Sequence, residues 1–347
     1  MPKLAVLHHR HQDWVPALRE AAPDLDIRGW HPREWETDLA SGHAPDAGWG
    51  STRGDAERPQ GAGGAPSSRS ADREWLADAE ALFCWKIPPG FLALMPRLRW
   101  VQNSGAGVDH LVDDPSIPAE VPITRADGQF GFWMARYVCG HLLAEAQRLR
   151  DCAEAQANAT WNPKLLPEDL TGQRALVVGF GRIGRQIGRA LRELGLDVHG
   201  VVRRAREDAE FPLHATAALQ DLLPTARALV LAAPSTPETK GMIGAELLAH
   251  GHARLTLINV GRGELVDVQA LLDALDLERL GHAVLDVFPE EPLPADSPLW
   301  RHPKVTVTPH HSGPSTPRQL IPDIQENLDR YAKGQAIVGA VDRSRGY

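Results

Sequence analysis

Near the end of the chain, Val305 to Gly313 reads VTVTPHHSG. Two adjacent histidines after a proline could move a proton, because an unperturbed imidazole changes charge near neutral pH. The chain has fifteen histidines, so neither His310 nor His311 is a signal by itself. Two other segments also place a polar residue just past an apolar run. LTLINVGRGELV offers Arg262, and AVLDVFPEEPLP offers Glu291. In an open parallel sheet, ligands gather outside the carboxyl ends of the strands, which is where these three side chains would stand.

A sharper signal lies mid-chain. ALVVGFGRIG holds Gly179-Phe180-Gly181-Arg182-Ile183-Gly184, a G-x-G-x-x-G that follows a β-branched strand and opens a helix. Gly179 allows the tight turn, Gly181 lets the backbone approach a pyrophosphate, and Gly184 lets helix and strand pack closely. The helix start at Arg182 and Ile183 then faces the negative charge. A dinucleotide is the expected ligand. An NAD site normally follows with an acid about 20 residues on, gripping the ribose 2′-hydroxyl. Here the next strand ends Gly200-Val201-Val202-Arg203-Arg204, and Arg203 lies 203 − 184 = 19 residues past the third glycine. Two guanidinium groups suit a 2′-phosphate and hold a bare ribose poorly, so NADPH is expected over NAD, with NAD possible.

These residues need a frame to hold them. Strand patterns appear at KLAVLHH, LDIRGW, AEALFCWK, RLRWVQN and VPITRA, and then alternate with helices from RALVVGFG through RIGRQIGRALRELG to VTVTPH. Such alternation indicates parallel βαβ units. A long apolar-rich helix is expected from Phe130 to Trp161. From Ser41 to Ala71, Gly, Ala, Pro and Ser dominate and no hydrophobic period survives, which reads as a flexible surface insertion. The chain is 347 residues long, 43% hydrophobic, and carries a formal net charge of −8. That balance suits a globular protein with neither a basic nucleic-acid footprint nor a membrane-facing stripe. The N-terminus reads as a first strand, not a signal peptide. Cys84, Cys139 and Cys152 are scattered and odd in number, which argues for a reducing compartment and against a disulfide scaffold or metal site. A cytoplasmic location is expected.

Taken together, the motifs resemble the D-isomer-specific 2-hydroxyacid dehydrogenases. The carriers are NSGAGVD (103–109), VVGFGRIG (177–184), INVGRGELV (258–266), LDVFPEEPLP (285–294) and TPHHSG (308–313). Their order and spacing hold from about residue 80 onward. WRHPKV, the ending VDRSRGY and the arginines in place of the acid are most similar to the bacterial A-type glyoxylate/hydroxypyruvate reductases. The insertion at 41–71 is not part of that pattern.

The resemblance implies an α/β fold of two Rossmann-like domains with parallel sheets and a cleft between them. Residues 1–104 plus 291–347 would form the substrate domain and 105–290 the dinucleotide domain. The helix at 130–161 would be the arm of a homodimer. It further implies that Arg262, Glu291 and His310 are catalytic. Hydride delivery to a 2-oxo acid leaves charge on oxygen that needs a proton, which neutral imidazole cannot give. A carboxylate beside the ring favours the imidazolium and orients it, the part expected of Glu291. Arg262 would hold the substrate carboxylate and polarise the carbonyl. Backbone N–H groups at Ala106 and Gly107 would bind the same carboxylate, Trp85 would line the substrate pocket, and Asp286 would lie near the nicotinamide. His310 is preferred over His311 because neighbours on an extended segment point to opposite sides and the motif position selects the first. The resemblance also admits a sibling enzyme acting on bulkier acids such as phenylpyruvate, and a nicotinamide-sensing, corepressor-like binding protein.

Overall fold

The computed structural model describes residues 1–35, 66–126 and 130–343. The chain divides into two compact units, Met1–Gln129 with Ser315–Tyr347, and Phe130–Pro314. The boundaries fall later than the expected 104/105 and 290/291, for a reason visible in the sheets. The short strand at Ile123–Thr124 still pairs within the first unit, and Val305–Val307 still pairs within the second. Glu291 and His310 therefore belong to the second unit, not to the first one.

The first unit is built on a five-stranded sheet. Along the chain run β1 (Lys3–Leu7), α1 (His11–Ala21), β2 (Asp26–Trp30), α2 (Pro66–Ala77), β3 (Ala81–Cys84), β4 (Trp100–Asn103) and β5 (Ile123–Thr124). The spatial order is β2-β1-β3-β4-β5, and every pairing is parallel. β3 and β4 are buried at every position, as strands covered on both faces must be. Most of the expected 41–71 insertion lies outside the described residues; its last six, Pro66–Ala71, begin α2.

The second unit carries a seven-stranded sheet. Here α3 (Phe130–Ala146) and α4 (Leu149–Ala157) precede β6 (Arg174–Val178), α5 (Arg182–Glu193), β7 (Asp197–Val202), β8 (Leu213–Ala215) and β9 (Ala226–Leu231). β10 (His252–Asn259), α6 (Val268–Asp276), β11 (Leu280–Leu285) and β12 (Val305–Val307) complete it. The order is β12-β11-β10-β9-β6-β7-β8, again parallel, with the reversal of strand order at β6. That reversal is the switch point where a doubly wound sheet opens a crevice. α7 (Pro317–Ala332) then returns the chain to the first unit, where the Tyr331 hydroxyl donates to the Lys3 carbonyl at 2.9 Å.

One expected element differs. The helix drawn from Phe130 to Trp161 is two helices, broken where Arg148 takes φ +55. Neither glycine nor proline marks that break; the second helix, LRDCAEAQA, buries none of its residues.

Candidate active site

The glycine turn assigns a different task to each glycine. Gly179 has φ +88, and a Cβ there would lie 2.5 Å from the backbone of Ala233. A Cβ on Gly184 would meet the Gly179 carbonyl oxygen at 2.2 Å. A Cβ on Gly181 would meet nothing within 4 Å. The first and third glycines are thus demanded by the fold, while the middle one keeps open a space that the protein itself does not fill. Gly181 is also the N-cap of α5 and supplies no side-chain cap, so the helix start at Arg182 and Ile183 is not covered by a side chain of its own N-cap residue. This combination fits a pyrophosphate.

One strand over, Gly179 N–H donates to the Val201 carbonyl at 3.0 Å, which ties the glycine turn to the end of β7. Arg203 and Arg204 follow β7 directly and are exposed. Their place beside the cradle fits the 2′-phosphate of NADP. The Glu238 carboxyl is held below its ordinary range, first by a hydrogen bond from Thr236 and in part by the Arg203 charge.

The polar trio follows three adjacent strands: Arg262 comes after β10, Glu291 after β11 and His310 after β12, with Asn259 paired to Leu285 and Leu285 to Val307. Asn259 shapes the arginine turn. Its side chain donates to the Arg262 carbonyl at 2.8 Å and accepts from Gly261 N–H at 3.1 Å. Gly263 packs that turn onto the glutamate loop, since a Cβ there would lie 1.9 Å from the Phe288 carbonyl carbon. Glu291 is fixed at both oxygens: Oε1 accepts from Phe288 N–H at 2.9 Å, and Oε2 lies 2.8 Å from His310 Nδ1. Burial pushes the Glu291 carboxyl up, but the hydrogen bond and charge of His310, with the Phe288 N–H, bring it below its ordinary value. With Nδ1 taken by the carboxylate, Nε2 is the ring atom left to face a substrate.

Which histidine pairs with Glu291 is decided by a turn, not by strand alternation. β12 stops at Val307, and His310 takes φ +50 in the left-handed region. Asp286 holds this conformation. Its carbonyl accepts from His310 N–H at 2.9 Å, and its side chain accepts from the Thr308 hydroxyl at 2.6 Å, His311 N–H at 3.0 Å and Ser312 N–H at 2.9 Å. Asp286 is 0% exposed. The residue expected near the nicotinamide is thus a buried brace for the histidine loop, because both of its oxygens are spent on that loop. His311 turns toward Tyr137, edge to face at 5.7 Å.

Tyr137 escaped the sequence reading. From α3, its hydroxyl meets Thr308 Oγ1 at 2.7 Å and so extends the brace Thr308–Asp286. Nothing in its local sequence singles it out, since the same helix also carries Arg136, His141 and Glu145.

In the first unit, Asn103 shapes the small-residue turn. It is 0% exposed, and its amide donates to the carbonyls of Gly105 at 3.0 Å and Gly107 at 2.6 Å. Ala106 and Gly107 lie on this turn, half-buried. Trp85 stands over it: a Cβ on Gly105 would lie 2.2 Å from the indole. The Trp85 carbonyl in turn bonds His110 Nε2, and the two rings lie 4.7 Å apart. Among the described residues, no group of three or more His, Cys, Asp or Glu side chains could hold a metal ion, and no helix is long and apolar enough to cross a membrane.

Residues 139–312 match the family model for the NAD-binding domain of D-isomer-specific 2-hydroxyacid dehydrogenases, a span covering half of the chain. The chain belongs to this family. It is 32% identical to the glyoxylate/hydroxypyruvate reductase A of Salmonella typhi over 287 residues, 79% of this chain and 91% of that one. A D-isomer-specific 2-hydroxyacid dehydrogenase from Xanthobacter autotrophicus Py2, solved with NADPH and MES, is 33% identical with a TM-score of 0.78 over 99% of both chains. The NADPH-dependent glyoxylate/hydroxypyruvate reductase of Sinorhizobium meliloti, solved with NADP and sulfate, is 26% identical with a TM-score of 0.80 over 100% of both.

Proposed function

We propose that this dehydrogenase reduces small 2-oxo acids, glyoxylate and hydroxypyruvate, to D-2-hydroxy acids with NADPH. The observation that carries the reading is the Glu291–His310 pair at 2.8 Å beside the Arg262 turn, in the unit whose glycine cradle fits a dinucleotide. When bound, NADPH supplies the hydride that reaches the carbonyl carbon. Arg262 holds the substrate carboxylate with paired donors and polarises the carbonyl. His310, oriented through Nδ1 by Glu291, gives the Nε2 proton to the carbonyl oxygen as charge develops there, and recovers it from solvent. In the reverse direction the same nitrogen takes the hydroxyl proton. In the first unit, the backbone N–H groups at Ala106 and Gly107 are a second carboxylate-binding turn, and Trp85 bounds the space beside them. Arg203 and Arg204 grip the 2′-phosphate. The enzyme works as a cytoplasmic homodimer. Its arm is α3 with α4, where Phe132 and Trp133 are exposed apolar side chains that a second copy would cover.

The test is loss of absorbance at 340 nm with NADPH and with NADH, across glyoxylate, hydroxypyruvate and phenylpyruvate. Fast NADPH oxidation with either small acid supports the reading. Turnover on phenylpyruvate alone would overturn the substrate class, and nucleotide binding without turnover on any acid would point to a sensor.

A further inference from the structure

The arginines that follow β7 sit on a span with two ends. The first is β7 itself, where Val202 accepts from the Thr216 hydroxyl at 3.2 Å. The second is a pair of carboxylates. Asp208 takes the Arg185 guanidinium in a two-point bond, with Arg185 Nη1 to Oδ1 at 3.0 Å. Glu210 takes Arg189 through Nε at 2.8 Å and Nη2 at 2.7 Å, and also Arg192 at 2.9 Å. These three arginines stand at i, i+4 and i+7 on α5, one face of the helix that opens at the glycine cradle. Asp208 Oδ1 also accepts from the N–H groups of Glu210 and Phe211, at 3.0 and 3.1 Å, which closes the loop tightly.

The same attachment reaches the cradle itself. Phe211 packs edge to face on Phe180 at 5.0 Å, and Phe180 is the residue between the first two glycines of the turn. Arg185 lies over the Phe180 ring and Arg192 over the Phe211 ring. Five residues, 203–207, are left between the two anchors, and three of them are Arg203, Arg204 and Arg206.

We propose that Asp208 and Glu210 are positioning residues for cofactor choice: docked on the α5 arginines, they hold the short span whose guanidinium groups receive the 2′-phosphate. The inference rests on the NADPH reading above. Its physical content is loop order. A span of five residues pinned at both ends loses less freedom on binding phosphate than one of eight, which is what remains if both carboxylates let go and Phe211 becomes the next anchor. Loop-closure scaling makes that difference about 2-fold in affinity. Loss of one guanidinium–phosphate contact through misplacement would bring it to about 10-fold. NADH lacks the 2′-phosphate and does not use the span, so the effect falls on the ratio of the two affinities. Both carboxylates stay ionised at ordinary pH, since Arg185 holds Asp208 far below its usual range and Arg189 holds Glu210 down at about 2.

The test separates position from bulk charge with two double variants of opposite sign. Asp208→Asn with Glu210→Gln removes two negative charges, and Arg185→Gln with Arg189→Gln removes two positive ones. Dissociation constants for NADPH and NADH are measured by nucleotide fluorescence titration. The expected result is a rise of about 2- to 10-fold in the NADPH-to-NADH ratio of dissociation constants for both variants. If the acid-removing variant tightens NADPH while the arginine-removing one weakens it, only net charge matters and the proposal falls. A ratio unchanged in both would also sink it. Arg203→Ala with Arg204→Ala is measured alongside. If that variant leaves the ratio alone, the NADPH reading itself has failed, and the proposal with it. Should a double variant unfold, Asp208→Asn and Arg185→Gln singly carry the same opposed-charge test.

Discussion

Alanine at Gly179 and at Gly181 should damage different things, although the two positions are two residues apart. Gly179 has φ +88, where an alanine costs about 1–2 kcal/mol in backbone energy. Its Cβ would also meet the Ala233 backbone at 2.5 Å, and forced overpacking adds about 1–3 kcal/mol. The sum, about 2–5 kcal/mol, corresponds to about 4–20 °C in the melting of a unit this size. Gly181 has φ −86 and ψ −153, ordinary for alanine, and its Cβ would touch nothing in the protein. Gly181→Ala should therefore stay within about 0.5 kcal/mol of wild type in stability. The open space is read as the dinucleotide's, so there the methyl group overpacks the ligand instead. A cost of about 1–3 kcal/mol is about 5- to 150-fold in Kd for NADPH. Thermal unfolding without nucleotide and fluorescence titration with NADPH measure the two effects separately. The reasoning is refuted if Gly181→Ala melts as early as Gly179→Ala, or if it binds NADPH within 2-fold of wild type.

Three further outcomes follow from the second unit. His310→Gln should lose about 100-fold or more in kcat, the usual worth of a general acid, while Kd for NADPH changes little; substantial residual turnover would remove His310 from the proton step. Tyr137→Phe breaks the contact to Thr308 and should lower kcat by about 2- to 10-fold, one hydrogen bond's worth, with little change in Kd for NADPH, and an unaltered kcat would show that the histidine loop needs no brace from α3. Glu168 gives a pH signature. Burial pushes its carboxyl up, but hydrogen bonds from Arg227 and Arg254 outweigh this and hold it at about 2. Its folded value is depressed, so its stabilisation is fully present above the unfolded value near 4.5 and is lost as pH falls toward about 2. The melting-temperature gap between wild type and Glu168→Gln should be constant from pH 7 to 5 and narrow below that; a gap that widens in acid would contradict the assignment.

Much of this molecule is legible in its residue order because the signals are local. The G-x-G-x-x-G turn, the alternating strands and helices, and the polar residues past strand ends each depend on a few neighbouring side chains, and the structure sets all of them on one seven-stranded sheet. Some elements went unread. β8, only Leu213–Ala215, is too short to show a period, α7 carries two prolines that obscure its helical pattern, and α2 begins inside the Gly/Ala/Pro/Ser-rich stretch. The unit boundaries were also misplaced, because a motif marks where chemistry stands and not which sheet a later strand will join.

What only the tertiary structure decided is how distant residues hold one another. Residue types and spacing suffice to nominate His310 and Glu291. That Asp286 is a buried brace, that His310 sits in a left-handed turn, and that Tyr137 reaches Thr308 across 171 positions depend on which strand ends and helices become neighbours. The same holds for the carboxylates of Asp208 and Glu210, which look like solvated loop charges until α5 presents three arginines along one face. A hydrogen bond is a statement about two places at once, and sequence order specifies the second place only through the packing of the whole unit.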